Sequence, residues 1–283
     1  MSDILVTVIL PTYNRREFLP KALDDLKNQT YKDWRCLVIN DGGESVADIV
    51  RAADDTRIEL HEREHLGKPT QLNWALDQVT TKYVTYLDDD DDVYPFHLET
   101  LVNAALKSGK SLVSSRMTTT WLGPDGKAFR TDPASDSPID YERLRYCHNT
   151  CGAAQYTILH TLDLARRAGP YDTRMKILID YDFIKRLVAL EEPYVVERVT
   201  IDHLMRPKFN ADGTLASISG LWQRDPEAAG RSLLAFFEKD PSALTRLYLD
   251  AASKTRLERI LASKAWKLIQ ALRKLRHPFR KCS

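Results

Sequence analysis

Five consecutive aspartates, Asp88 through Asp92, follow directly on the apolar run Tyr83-Val84-Thr85-Tyr86-Leu87. Carboxylates about 6 Å apart repel by roughly 1 kcal/mol per pair in water and by about 3 kcal/mol at an effective dielectric near 20. The run therefore asks for a cation, and a hard divalent ion such as Mg²⁺ or Mn²⁺ suits oxygen ligands grouped so tightly. An acidic surface turn would carry the same residues, since charge runs are usually solvated. Position argues for the site, because a β-rich stretch ending in acids lies at the carboxyl end of a strand, where open α/β sheets bind ligands. Alternate residues of an extended segment point the same way, so Asp88 and Asp90 share one side while Asp89 faces the other.

The elements that must hold this run are legible on either side of it. Residues 4–10, Ile-Leu-Val-Thr-Val-Ile-Leu, end at Pro11 and read as a strand buried on both faces. A turn at Thr12-Tyr13-Asn14 precedes a helix over Glu17 to Asn28. Trp34 to Ile39 is a strand ending at Asn40-Asp41-Gly42-Gly43, followed by a helix over Ser45 to Ala53 and a short strand over Arg57 to His61. A helix over Gln71 to Val79 leads into the strand Lys82 to Leu87 that delivers the aspartates, and Leu98 to Leu106 and Ser111 to Ser115 give one more helix and strand. Alternating strands and helices predict a mostly parallel sheet with crossover helices, a Rossmann-like α/β fold.

After Arg116 the character changes. Thr118 to Pro138 is rich in Gly, Pro, Asp, Ser and Thr and reads as a hairpin or mobile loop. Tyr156 to Leu159 and Tyr194 to Ile201 are strand-like, and Thr161 to Ala168 and Asp180 to Leu190 are helical. Three segments are expected: 1–115 as a nucleotide-binding half, 116–220 as the second half of the same domain, and 221–283 as a helical C-terminal extension. The extension is basic: from residue 254 on, ten Lys and Arg face Glu258 alone, a charge of +9, so the overall +1 leaves −8 on the rest. Leu257, Leu261, Ala265, Leu268, Leu272 and Leu275 are spaced by three and four. That makes a cationic amphipathic helix fit for an anionic membrane surface or for packing on the acidic body.

With 43% hydrophobic residues and no apolar run of membrane-spanning length, the chain is expected to be cytoplasmic, at most touching the inner face of the membrane. Cys36, Cys147, Cys151 and Cys282 fit neither a disulfide framework nor a standard zinc pattern and are expected to be plain thiols.

Four segments in order carry a resemblance: Val8-Ile9-Leu10-Pro11-Thr12-Tyr13-Asn14-Arg15, Val38-Ile39-Asn40-Asp41-Gly42, Leu87-Asp88-Asp89-Asp90-Asp91 followed by Pro95, and Asp180-Tyr181-Asp182 through Arg186-Leu187. Over about residues 4–205 the chain resembles the family-2 glycosyltransferases, whose catalytic domain has the GT-A fold. The resemblance implies inverting transfer of a sugar from a nucleoside diphosphate to an acceptor hydroxyl, assisted by Mg²⁺ or Mn²⁺. It places Pro11, Thr12, Tyr13 and Arg15 on the donor, with Tyr13 stacking on the base and Asp41 accepting from it, a pattern that favours uracil or thymine.

By the same resemblance, Lys68 and Asn73 belong to the donor site. Asp90, with Asp88, holds the metal, while Asp88 and Asp89 support it or the ribose. Asp91 and Asp92 are left to back the site or face water. Asp180 is the expected base, with Asp182 as the alternative, because Ile179 stands where relatives often have Glu. His203, Arg206 and Lys208 lie within sequence reach of a phosphate. The expected partners are a nucleotide-sugar and a glycan or lipid-linked acceptor, not nucleic acid. Competing readings are a sugar nucleotidyltransferase and a calcium-binding module. The second has ligand-like residues at Asp88, Asp90, Asp92 and Glu99 but Val93 where the loop needs glycine.

Overall fold

The computed structural model describes residues 6–123, 125–132, 154–176, 178–206, 208–209 and 215–217. The extension over 221–283, with its basic stripe, and Cys147, Cys151 and Cys282 lie outside them. The first half runs β1 (Val6–Thr12), α1 (Leu19–Lys27), β2 (Trp34–Asn40), α2 (Ala47–Ala53), β3 (Ile58–Glu62), α3 (Lys68–Gln78), β4 (Tyr83–Tyr86), β5 (Asp92–Val93) and α4 (His97–Ser108). The second half runs β6 (Leu112–Leu122), β7 (Ala128–Asp132), a 3-10 turn (Gln155–Thr157), β8 (Ile158–Thr161), α5 (Leu162–Ala168), α6 (Ile179–Leu190) and β9 (Tyr194–Met205). Short strands β10 (Lys208–Phe209) and β11 (Leu215–Ser217) pair separately.

The main sheet has the order β3-β2-β1-β4-β8-β6-β9-β5, with β7 on β6. β3, β2, β1 and β4 are parallel, as the alternation of strands and helices requires. β8 then enters antiparallel between β4 and β6, and β9 runs parallel to β6.

The central strands are buried on both faces because each side chain in turn meets a helix layer. Val8, Leu10, Cys36 and Val38 join one cluster with Leu19, Leu23 and Leu26 of α1 and Leu98, Leu101 and Val102 of α4. Ile9, Ile39, Val84 and Tyr86 face the other way, against Leu72 and Ala75 of α3 and Phe183, Ile184 and Leu187 of α6. Each such side chain withdrawn from water contributes roughly 1.5–3 kcal/mol. Cys36 is buried in β2, where desolvation pushes its thiol well above the ordinary range.

Two expected strands are longer than their apolar runs. β6 continues through Thr118-Thr119-Thr120 and β9 continues past Ile201, the two pairing as far as Trp121 and Met205. Polar residues extend the ladder because Thr118 and Thr120 both donate to Asp202, at 2.9 and 2.8 Å. β7 folds back on β6, forming the hairpin expected from the turn-rich sequence.

Two histidines lie wholly inside. Burial pushes His97 from 6.5 down to about 3 and His160 down to about 4. Both are neutral when folded, whereas an unfolded histidine takes up a proton as pH falls through about 6.5. Their contribution is therefore present at pH 7 and lost as pH falls toward 4, at up to about 1.4 kcal/mol per pH unit for each ring. Urea unfolding at pH 7, 6 and 5 measures this loss. The acid-side slope of His97→Gln is expected to be shallower by about one ring's share, and an unchanged slope would show that His97 is not neutral in the fold.

Candidate active site

Register brings the chemistry to one edge. Thr12 pairs with Asn40 and Ile9 with Tyr86, so the residues following β1, β2 and β4 emerge together at the carboxyl end of the parallel half. Gly42 and Gly43 adopt φ of +80° and +82°, in the left-handed region. A Cβ on Gly43 would collide with Asn14 Oδ1, and one on Gly42 would lie 2.9 Å from the His65 backbone nitrogen. Two glycines thus let the loops after β1 and β3 close over the end of β2.

The acidic run turns at this edge and divides by exposure. Asp88 and Asp90 stay partly open, whereas Asp89 and Asp91 are buried, each 4% exposed. Asp89 accepts from Thr12 Oγ1 at 2.6 Å and from Arg15 Nη1 at 3.1 Å. Desolvation nevertheless holds its carboxyl above the usual range. Arg15 Nη1 also lies 2.9 Å from Asp90 Oδ2, and Arg206 donates to the Asp90 carbonyl at 2.5 Å. Lys68 Nζ meets Asp88 Oδ1 at 2.7 Å. Burial alone would raise Asp88 and lower Lys68, but their pairing reverses both shifts and keeps both groups charged.

The sequence left Asp91 backing the site or facing water, and its burial excludes the second. Its Oδ1 accepts from His203 Nδ1 and from the Leu204 N–H, both at 2.9 Å, and its Oδ2 is buried with no hydrogen-bond partner among the described residues. Burial pushes this carboxyl up. Burial would also push the His203 ring down, but the bond to Asp91 more than offsets that and raises it. Asp92 is partly exposed, with Lys21 Nζ at 2.8 Å.

On the donor side Tyr13 is exposed and stacks on His65, with ring centroids 4.2 Å apart and planes at 15°. Asp41 is buried and already well supplied. It accepts from the N–H groups of Leu66 (2.9 Å) and Gly67 (3.1 Å) and from Gln71 Nε2 (2.5 Å). Any N–H of a base must share that carboxylate. Asn73, expected on the donor, is bonded to Tyr171: its Nδ2 donates to the Tyr171 carbonyl at 2.9 Å and its Oδ1 accepts from the Tyr171 N–H at 2.7 Å. Both ends of the carboxamide are committed to holding α3 to the segment ahead of α6.

The two candidate bases separate cleanly. Asp180, in the first turn of α6, is partly exposed, and its charge acts on Lys68 together with those of Asp88 and Asp90. Asp182 is buried, with Oδ2 at 3.1 and 3.0 Å from Arg186 Nε and Nη2, while Arg186 Nη1 donates to the carbonyls of Ala168 and Gly169. That group ties α6 to the end of α5. His65, Gln71 and Tyr156 also belong to the site and escaped the sequence reading. His65 and Gln71 flank Gly67-Lys68, which marks them in retrospect, but no sequence signal marks Tyr156.

A family model described as "Glycosyl transferase family 2" matches residues 7–151. The chain belongs to glycosyl transferase family 2. Among similar curated proteins, an uncharacterized glycosyltransferase of Rickettsia typhi is 23% identical over 206 residues, covering 70% of this chain and 63% of that protein. This family-2 chain thus spans less than two thirds of that relative. A PGL/p-HBAD biosynthesis glycosyltransferase of Mycobacterium tuberculosis is 27% identical over 222 residues, covering 77% of this chain and 81% of its own length. The fold matches that of S. aureus TarS residues 1–349 in complex with UDP-GlcNAc, with a TM-score of 0.66 at 13% identity, covering 93% of this chain and 77% of that one. It also matches a Pyrobaculum calidifontis mannosyltransferase in complex with GDP-Man and Mn²⁺, with a TM-score of 0.53 at 19% identity, covering 96% and 85%.

Among the described residues of this family-2 protein, no three His, Cys, Asp or Glu side chains converge to enclose an ion. The cradle does offer Asp88 and Asp90, partly open and held by the tethered cations Lys68 and Arg15. Two carboxylates completed by phosphate oxygens are a donor set that suits Mg²⁺ or Mn²⁺.

Asn73→Ala leaves the Tyr171 N–H without its partner and is expected to cost about 1–3 kcal/mol of stability. UDP affinity in Mn²⁺ should stay unchanged, as read by urea unfolding and calorimetry. A selective loss of UDP binding without loss of stability would return Asn73 to the donor site.

Proposed function

We propose that this protein moves a sugar from a nucleoside-diphosphate sugar, with UDP or dTDP favoured, to an acceptor hydroxyl with inversion at the sugar carbon. The observation that carries this reading is the partly exposed carboxylate of Asp180 in the first turn of α6, whose charge acts on Lys68 together with those of Asp88 and Asp90. A direct displacement needs a base on one face of the sugar and a stabilised leaving group on the other. Asp180 takes the proton of the incoming hydroxyl, a contribution of about 10²–10⁴ in rate, while Lys68, Arg15 and Arg206 turn from the carboxylates to the phosphates.

A divalent cation held by Asp90 and Asp88 would offset charge on the departing diphosphate. The Mn²⁺ in the Pyrobaculum complex supports that assignment, and the UDP-GlcNAc bound to TarS supports a uridine donor. Tyr13 offers an exposed ring for the base, with Pro11, Thr12 and Asp41 around it. Asp89 supports the ribose or the cradle. The product is proposed to enter a cell-surface polysaccharide or glycolipid.

No helix among the described residues is long and apolar enough to cross a membrane. The +9 segment after residue 254 would instead bring the enzyme to an anionic surface bearing a lipid-linked acceptor.

Asp90→Ala is expected to abolish Mn²⁺-dependent binding of the donor nucleotide as well as transfer. Asp180→Asn is expected to keep donor affinity within about twofold and lose about 10²–10⁴ in turnover. A sugar-nucleotide panel followed by single-turnover kinetics reads both, and full turnover in Asp180→Asn would move the base elsewhere.

A further inference from the structure

Tyr156 occupies the 3-10 turn Gln155–Thr157 and is only 6% exposed. Its ring lies against His203, with centroids 5.6 Å apart and planes at 24°, and His203 is the residue that holds Asp91. The turn is rigid on both sides. Gln155 Nε2 donates to the Tyr171 hydroxyl at 2.5 Å, and Thr157 Oγ1 bonds back to the Ala154 carbonyl at 2.8 Å.

Buried tyrosine hydroxyls normally find partners, and the neighbouring ones do. Tyr171 has Gln155, and Tyr86 lies 2.9 Å from His160 Nε2. The Tyr156 hydroxyl makes no hydrogen bond to any described residue. The charges of Asp91, Asp88, Asp180 and Asp90 all act on it.

The function proposed above places the transferred sugar between the leaving diphosphate and the base, and this inference rests on that reading. We infer that the Tyr156 hydroxyl hydrogen-bonds a hydroxyl of the transferred sugar, making Tyr156 a sugar-recognition residue rather than a nucleotide-binding one. An uncharged sugar hydroxyl is a partner that needs no cation beside these carboxylates, whereas a phosphate oxygen is drawn to the cations proposed for it, Lys68, Arg15, Arg206 and the ion at Asp88 and Asp90. Desolvation, reinforced by those carboxylates, pushes the phenol far above its ordinary range. It therefore donates and accepts hydrogen bonds without ionising and does not compete with Asp180 as a base.

Tyr156→Phe keeps the ring and its contact with His203, so equal thermal melts are expected for variant and wild type. Calorimetry in Mn²⁺ compares UDP with UDP-GlcNAc and UDP-glucose, and GDP with GDP-mannose. For the pair that the wild type binds, the variant is expected to lose about three- to tenfold in affinity for the sugar nucleotide, the worth of one ordinary hydrogen bond. Affinity for the bare nucleoside diphosphate should be unchanged. Parallel losses for both ligands, or no loss for either, would overturn the inference alone. A wild type that binds none of the five ligands, nor dTDP or dTDP-glucose in the same assay, would overturn the donor reading and this inference with it.

Discussion

Carboxylates crowded out of water at the end of β4 set the constraint on which the rest of this structure depends. Asp88 to Asp91 can stay together only because cations and donors reach them from distant stretches: Thr12 and Arg15 after β1, Lys68 at the start of α3, and His203 and Arg206 at the end of β9. Each approach fixes a topological choice. The parallel order puts the β1 loop and the β4 edge side by side, and the insertion of β8 and β6 between β4 and β9 sets how β9 comes back to them. Sheet order and charge compensation are thus one problem with one solution, and an edit to either is felt in the other.

Much of this was legible in the sequence, for identifiable reasons. Strands buried on both faces write themselves as β-branched and aromatic apolar runs, so β1 and β2 are legible from Val, Ile and Leu and β4 from Tyr83, Val84, Thr85 and Tyr86. The expected division of Asp88 and Asp90 from Asp89 agrees with the burial, but its reason does not hold: the run turns at Asp89-Asp90 instead of staying extended, and one nitrogen of Arg15 reaches both. What the sequence hid depends on contacts made far along the chain. Asp91 looks like one more acid in a run, and only the return of β9 with His203 buries it. Asn73 looks like a polar helix residue near a lysine, and its two bonds to Tyr171 span 98 positions. β8 changes the sheet from parallel to antiparallel, which no local pattern announces, and Tyr156 reaches the site only by that route.

The likeness to solved folds at 13% and 19% identity has the same physical origin. Interdigitated layers tolerate exchange among apolar residues of similar volume.

The contact between Tyr13 and His65 carries one more consequence. At 4.2 Å the two rings are already in contact distance, and no third ring fits between them. Any flat heterocycle that takes the place of His65 against Tyr13 exchanges one stacking partner for another. The net gain from that face is then small, since stacking is lost as well as made. Under the proposed function, discrimination among bases would come instead from the rim of the heterocycle, where its N–H and C=O groups would meet the crowded donors around Asp41.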